Sequence, residues 1–247
     1  MKRTKFVAAV AAVGLLAGAY ATPLMAFSFG VGGSFGGSLI EIDGSQTMNH
    51  RTADTKMTRK KDLQAVLASA YAQIIVGEDM FGEGNGFALG YEQGFGEGKV
   101  AETIKHGQAG DTGGNSSART NIVSIIGGTE SGDQRAEGIL KNLNTVFIET
   151  PGFTPLGIFV KAGWSEMDVV TKESLYTGGT FGDGAVDGTM WGFGFKKSAG
   201  GLQVKTEFAY TDWDTLSLSN TGTDAGSSKV TVDPEQWSGK LTIGYNF

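Results

Sequence analysis

The chain has 247 residues, no cysteine and a formal net charge of −6, from 20 Lys and Arg against 26 Asp and Glu. An acidic chain is a poor candidate for binding nucleic acid, and a chain without cysteine cannot depend on disulfides. Forty glycines, four prolines and 40% hydrophobic residues suit either a glycine-rich disordered chain or a β protein.

The N-terminus has the layout of a secretory signal peptide. Basic residues 2–5 precede the apolar, uncharged segment 6–19, which is too short to cross a bilayer as a helix. Small residues that suit cleavage end at Ala21 and at Ala26. We favour cleavage after Ala26, because an alternating pattern begins directly at Phe27, but the cut at Ala21 stays open.

Export therefore divides the chain into a cleaved signal peptide, residues 1–26, and one domain, residues 27–247. The signal peptide carries three bases and no acid, so the mature charge is 17 − 26 = −9. No later stretch approaches the length of a transmembrane helix, so a membrane could hold this domain only by strands.

The end of the chain alternates between an apolar and a polar face, with a period of two residues that indicates a β-strand. The apolar face holds Trp237, Leu241, Ile243, Tyr245 and Phe247. At about 3.3 Å per residue and a tilt of about 40°, this segment spans roughly 25 Å, the height of the apolar band of outer-membrane barrels. The segment is predicted to cross a membrane.

Five further segments alternate in the same way, around residues 27–35, 86–92, 156–165, 190–195 and 202–210. Two others are less clear. Residues 143–150 are rich in β-formers but their faces stay unassigned, and a second strand is placed near 67–77, with a helical turn allowed before it. Because bacterial single-chain barrels have even strand numbers, about eight strands are expected.

The connections between these segments alternate in length. Short connections lie near residues 79–85, 151–155 and 198–201, and long polar ones near 43–62, 96–138, 171–188 and 215–235. Short turns on one side and long loops on the other are typical of membrane barrels. The predicted fold class is all-β: a closed antiparallel up-and-down transmembrane β-barrel of about eight strands.

The C-terminal segment, with Leu241, Ile243, Tyr245 and Phe247 at alternate positions, resembles the terminal signature of bacterial outer-membrane β-barrel proteins. The whole mature chain is similar in layout to the small eight-stranded OmpA, OmpX and opacity-like group of Gram-negative bacteria. This resemblance implies an outer-membrane location with short periplasmic turns and long outer loops. It also implies surrounding lipid and lipopolysaccharide, recognition of the terminal segment by the barrel-assembly machinery, and a monomer.

Aromatic residues near the ends of the predicted strands are expected to form girdles at the two membrane interfaces. They are Phe27, Phe29, Tyr91, Trp164, Trp191, Tyr210 and Trp237.

The polar face of the predicted strands is dominated by Gly, Ser and Ala and carries few charges. Glu92, Lys161, Glu207 and Lys240 each fall about six or seven residues from the inferred periplasmic end, and Lys205 lies just below them. Because a buried charge is costly unless it is paired, we expect a salt-bridge cluster that closes the lumen. The alternative is a lumen that water enters, where these charges are solvated.

One basic cluster stands in the first long loop: Arg51, Lys56, Arg59, Lys60 and Lys61. We hypothesise that these side chains contact lipopolysaccharide phosphates. The alternative is a loop that is simply solvated.

The sequence offers few candidates for catalytic residues, since His50 and His106 both fall in predicted outer loops and belong to no recognisable motif. No catalytic, metal or cofactor site is predicted, and we expect no enzyme. The expected function is a structural or surface-interaction scaffold with a mostly closed lumen. The alternative is a narrow porin-like channel for small solutes. A lipid-modifying outer-membrane enzyme and a soluble lipocalin-like binder with its apolar face inside are further alternatives.

Overall fold

The structure of the protein is a computed structural model that describes residues 27–49, 54–104, 134–153, 155–174, 181–219 and 228–247. Its strands are β1 (Phe27–Asn49), β2 (Asp54–Val76), β3 (Phe87–Phe95), β4 (Gly98–Ile104), β5 (Gln134–Glu149), β6 (Ile158–Ser174), β7 (Gly184–Ala199), β8 (Leu202–Trp213), β9 (Leu216–Ser219) and β10 (Ser228–Asn246). A helical turn, α1 (Glu78–Phe81), follows β2. Within these ranges, no helix is long and apolar enough to span a membrane.

Eight strands form a closed ring in the order β1-β2-β3-β5-β6-β7-β8-β10, because β10 also pairs with β1. All of these pairings are antiparallel. The short strand β4 continues β3, because β4 also pairs with β5, and the short strand β9 continues β8, because β9 also pairs with β10. Both short strands lie at the end of the barrel opposite the chain termini. The predicted closed eight-stranded up-and-down barrel is confirmed.

The strands are tilted in the barrel, as the register shows. A row of opposed residues can be followed once around the wall: Trp237, Tyr210, Trp191, Ala162, Ile148, Leu89, Ile74, Phe29 and finally Phe247. The row returns to β10 ten residues beyond its start (247 − 237 = 10). This stagger is the shear that a tilted barrel requires, and the usual tilt is about 35–45°.

The apolar face of the membrane segment points outward. On β8, Leu202, Val204 and Phe208 are exposed, whereas Lys205 and Glu207 are buried inside the barrel. A continuous band of exposed aromatic and aliphatic side chains is stable only against lipid. The lipocalin-like alternative, with the apolar face inside, is therefore wrong.

The sidedness reverses above the membrane band. On β6, the outward residue Trp164 is followed by outward Glu166, and the inward residue Lys161 is followed farther along by inward Met167. On β8, outward Tyr210 is likewise followed by outward Asp212. The outer part of the barrel is thus built like a soluble barrel, with polar residues outside and apolar residues inside.

This reversal explains why the long loops were predicted too long. β1 continues to Asn49 and β2 begins at Asp54, so most of the predicted loop 43–62 is strand. β6 and β10 likewise extend into the segments predicted as the third and fourth long loops. Where the outward face of a strand meets water, its residues become polar. The amino-acid composition of that part of the strand therefore resembles that of a loop.

The second strand was also predicted too short, and its helical turn was placed on the wrong side. β2 begins at Asp54, and α1 follows it. The apparent helical spacing arises because both faces of β2 carry apolar residues: Tyr71 and Ile75 point inward, whereas Ile74 points outward. Period-two alternation is hidden in such a strand.

The faces of segment 143–150, left open by the sequence, are now assigned. Thr145, Phe147 and Glu149 are buried inside the barrel, and Ile148 is exposed outside. A bulge lies just upstream, where the register with β6 shifts and Asn142 adopts a positive φ of 54°. Residues 1–26 lie outside the described residues, so the cleavage site stays a prediction.

Candidate functional site: the interior of the barrel

Four of the five predicted lumen charges meet at one level of the barrel. Lys161 Nζ lies 3.1 Å from Glu92 and 2.8 Å from Glu207, and Lys240 Nζ lies 2.8 Å from Glu92 and 3.1 Å from Glu207. Each charge therefore has two opposite partners. We call these four residues the central ion network. They come from β3, β6, β8 and β10, whose alternation turns each of them inward.

The central ion network is largely buried and has further polar support. The side chains of Lys161 and Glu207 are both 4% exposed. Ser69 donates a hydrogen bond of 2.6 Å to Glu92, and Lys161 Nζ lies 4.1 Å from the centre of the Phe147 ring. Burial of ions costs several kcal/mol each, and such a site is stable only when all partners are present, as they are here.

The fifth predicted charge, Lys205, belongs to a separate level nearer the periplasmic end. Lys205 and Lys196 both lie 3.0 Å from Glu149. We call these three residues the lower ion network. Lys205 also donates to Gln73 Oε1 at 3.1 Å, and Lys196 donates to the Thr150 carbonyl at 2.8 Å.

Sequence reasoning missed Glu149 and Lys196. Glu149 lies in the segment whose faces stayed unassigned, because its inward Phe147 breaks the apolar-out pattern. Lys196 was missed because it stands next to Lys197 at the end of a strand, where the face of each lysine is hard to assign. Continuing the alternation from Trp191 would have placed Lys196 inside.

The connection between β2 and β3, residues 77–86, lies across the periplasmic mouth. We call it the periplasmic turn. Gln203 Nε2 on β8 donates to the Gly84 carbonyl at 3.0 Å, and Glu83 accepts a hydrogen bond from the backbone N–H of Gly201 at 3.0 Å. Asn85 accepts from the Gly152 N–H at 2.5 Å. The turn is thus fixed to the two other periplasmic connections.

Apolar side chains fill the outer part of the lumen. The buried cluster consists of Met167, Val169, Val186, Trp213 and Leu216, with Leu140, Leu143, Leu218 and Val232 packed against it. We call this cluster the outer apolar core. Trp213 Nε1 donates to Gln236 Oε1 at 3.3 Å, which satisfies its polar group.

The glycines of the inner wall do not leave an open bore, because large side chains from other strands occupy their space. Besides a carbonyl oxygen of the neighbouring strand, a Cβ added at Gly32 would meet the Tyr71 ring at 2.6 Å, and one added at Gly194 would meet the Phe159 ring at 2.9 Å. Phe159 is fully buried. Small residues on one strand therefore accommodate rings from another.

The predicted girdle residues lie on the outer wall. The rings of Trp191, Tyr210 and Trp237 form a continuous row, with centroid separations of 5.5 and 4.8 Å. Phe27 and Phe29 pack edge to face at the periplasmic end, 5.8 Å apart. Tyr91 and Trp164 also point outward.

The C-terminal signature residues face lipid on β10, since Leu241, Ile243, Tyr245 and Phe247 are all exposed. Their reading by the assembly machinery stays a prediction. Of the basic cluster, Lys56, Arg59, Lys60 and Lys61 belong to β2 beyond the girdle, and Arg51, His50 and His106 lie outside the described residues. Among the described residues, no group of three or more His, Cys, Asp or Glu is placed to hold a metal.

A closed antiparallel barrel with a lipid-facing apolar band, aromatic girdles and an internally paired lumen defines a bacterial outer-membrane β-barrel protein.

Comparison with known proteins agrees with that class. The outer membrane protein OprG from Pseudomonas aeruginosa matches with a TM-score of 0.51 and 12% identity, over 90% of this chain and 96% of OprG. Neisserial surface protein A matches over 86% of this chain and 97% of its own, with 10% identity and a TM-score of 0.30. Ail of Yersinia pestis matches over 87% and 99%, with 10% identity and a TM-score of 0.22. Of these three matches, the one to OprG supports the fold. Comparison with protein-family models and curated proteins finds no match.

Proposed function

We propose that the protein is a non-enzymatic, non-conducting scaffold that displays its outer hairpins at the cell surface. The observation that carries this proposal is the occupation of the lumen at successive levels. From the periplasm outward these are the periplasmic turn, the lower ion network, the central ion network and the outer apolar core.

This arrangement does not suit the alternative function of a narrow pore. A hydrated solute would have to separate the paired charges of Lys161 and Glu207 and then cross an apolar section that offers few hydrogen bonds. Eight-stranded barrels generally have interiors just wide enough for side chains to fill.

The length of the strands supports display. β10 starts at Ser228, nine residues before the girdle residue Trp237 (237 − 228 = 9). At about 3.3 Å per residue and a tilt of about 40°, the wall continues for roughly 20 Å beyond the girdle. The outer apolar core packs inside this extension, so the described wall stands clear of the membrane surface.

Contact with lipopolysaccharide belongs to the same proposal. The segment of β2 that carries Lys56, Arg59, Lys60 and Lys61 extends beyond the girdle, where basic side chains would attract phosphates. Replacing these four residues by Gln is expected to reduce the lipopolysaccharide that co-purifies with the barrel. An unchanged amount would remove this contact, but not the scaffold itself. We further propose a monomer inserted by the barrel-assembly machinery.

Solute uptake by liposomes tests the proposal. Vesicles containing the folded wild-type barrel are placed in isotonic solutions of small sugars or amino acids, and swelling is followed by light scattering. We expect no swelling above empty vesicles. Swelling that falls with increasing solute size would instead establish the porin-like function.

A further inference from the structure

The outer wall carries an apolar groove of about 430 Å³ on β2, β3, β5 and β6. This volume lies within the range of about 300–1,000 Å³ that is usual for ligand sites. The groove follows the register: Ile74, Leu89, Ile148 and Ala162 oppose one another in one row, with Phe87 and Val160 in the row below. Leu89 is half-buried and forms the floor, whereas Ile148, Phe87 and Val160 are exposed walls.

The groove offers almost no hydrogen-bonding group to an occupant. The Thr150 hydroxyl borders it, but this oxygen accepts a hydrogen bond from the Val160 N–H at 3.0 Å and donates to the Pro151 carbonyl at 3.1 Å. Glu149 also borders the groove, but its carboxylate faces the lumen and pairs with Lys196 and Lys205. A polar occupant would be desolvated without compensation, so the chemistry selects hydrocarbon.

The position of the groove identifies the leaflet. β3 begins at Phe87 directly after the periplasmic turn, and β5 ends at Glu149 at the same end of the barrel. The groove therefore lies in the periplasmic half of the apolar band. Phe81 packs edge to face on Phe87, a wall of the groove, at 5.9 Å and on Phe153 at 6.5 Å, and aromatic rings are common at the level where headgroups begin.

Charge identifies the headgroup. The helical turn of the periplasmic turn carries Glu78 and Asp79, and the periplasmic turn has no Lys or Arg. Its third acid, Glu83, points across the mouth of the barrel to the Gly201 N–H. Carboxylates at the headgroup level favour a lipid with an ammonium group and disfavour an anionic one. We propose that this groove seats one acyl chain of a periplasmic-leaflet phospholipid, with an ammonium-bearing headgroup beside the periplasmic turn. The assignment concerns the outer wall and does not depend on the closed lumen.

Native mass spectrometry of the folded, detergent-extracted barrel tests the proposal, with phosphatidylethanolamine and phosphatidylglycerol as probes. We expect one phosphatidylethanolamine to remain bound under conditions that remove all other lipid. Leu89→Trp fills the floor of the groove and displaces at least two methylene groups of the acyl chain from it. This loss corresponds to about tenfold weaker retention of the lipid. Thr206→Trp, on the exposed outer face of β8, is the matched control and is expected to retain lipid as the wild type does.

Ala162→Phe narrows the same groove from β6 and gives a second, independent variant. A heat-dependent shift in gel mobility verifies that each variant is folded. Equal retention by Leu89→Trp, Ala162→Phe and Thr206→Trp would overturn the groove and show unspecific lipid only. Equal or stronger retention of phosphatidylglycerol would overturn the headgroup assignment.

Discussion

The central ion network and the outer apolar core fill the same barrel by opposite means. Inside the membrane, the outer face of the wall must be apolar, so the interior takes the polar residues, and Lys161 pairs with Glu92 and Glu207. Beyond the girdle, the outer face meets water, and residues such as Met167 and Trp213 take the interior. The boundary of the membrane is thus visible on β6 and β8 as a change in which face of the strand is apolar.

The two regions respond differently to damage. An ion network loses most of its stabilising effect when any one member is removed, because the removal leaves an uncompensated buried charge. An apolar core loses stability in proportion to the volume removed and remains dry. Both kinds of loss are measured as free energies of unfolding, by urea titration in lipid vesicles.

Lys161→Ala is expected to have the largest effect, a loss of about 3–5 kcal/mol, because it leaves Glu92 and Glu207 buried with Lys240 as their remaining partner in the central ion network. The outer apolar core and the lower ion network stay in place, so the lumen of this variant should remain closed to ions. Lys197→Ala, on the exposed outer face of β7, is the control and should change neither stability nor leakage. Wild-type stability in Lys161→Ala would refute the network.

Met167→Ala is expected to cost about 2–5 kcal/mol, because it creates a cavity in the outer apolar core. Like Lys161→Ala, it should cause no ion leakage, because an apolar cavity remains dry. Glu166→Ala, one residue away and pointing outward, should cost about 0.5 kcal/mol or less. Leakage in Met167→Ala would show that the outer apolar core alone excludes ions, which contradicts closure at several levels.

Gly32→Ala and Gly33→Ala form a matched pair on neighbouring positions of β1. A Cβ at Gly32 would clash with the Ile243 carbonyl oxygen and lie 2.6 Å from the Tyr71 ring, whereas the nearest atom to a Cβ at Gly33 is the Ser69 carbonyl oxygen at 3.5 Å. Overpacking at Gly32 is expected to cost about 1–3 kcal/mol, and Gly33→Ala should be nearly neutral. Equal stabilities would mean that the space inside Gly32 is not occupied by the β10 backbone and Tyr71.

Ser34→Ala is expected to have the smallest effect. Ser34 and Thr242 share a buried hydrogen bond of 2.8 Å between their hydroxyl groups on β1 and β10. Loss of a neutral bond of this kind costs about 0.5–1.5 kcal/mol. The double variant Ser34→Ala with Thr242→Val should recover part of this loss, and no recovery would argue against a direct pair.

The sequence predicts the membrane part of this fold well, because lipid imposes a strict period of two on strands such as Trp237–Phe247. It also predicts four residues of the central ion network, since distance from the periplasmic end sets the level of a lumen residue. Glu149 was not predicted, because Phe147 points into the lumen beside it. In this segment apolar character therefore no longer marks the outer face.

The outer part was the hardest to predict. Beyond the girdle, the apolar residues change faces, as at Met167 on β6, and the acidic outer face resembles loop composition. For this reason the sequence alone indicated a loop where β1 in fact extends to Asn49 and β2 begins at Asp54. The groove around Leu89 could not have been found either, because it depends on four strands placed in register.

Planar-bilayer recording of the wild-type barrel tests the central claim of a closed lumen most directly. The recording is made at neutral pH, beside Lys161→Ala, in which the outer apolar core and the lower ion network still close the lumen. We expect no steady single-channel conductance from either protein. Large, steady channels from the wild type would contradict the closed lumen and would make the protein a pore.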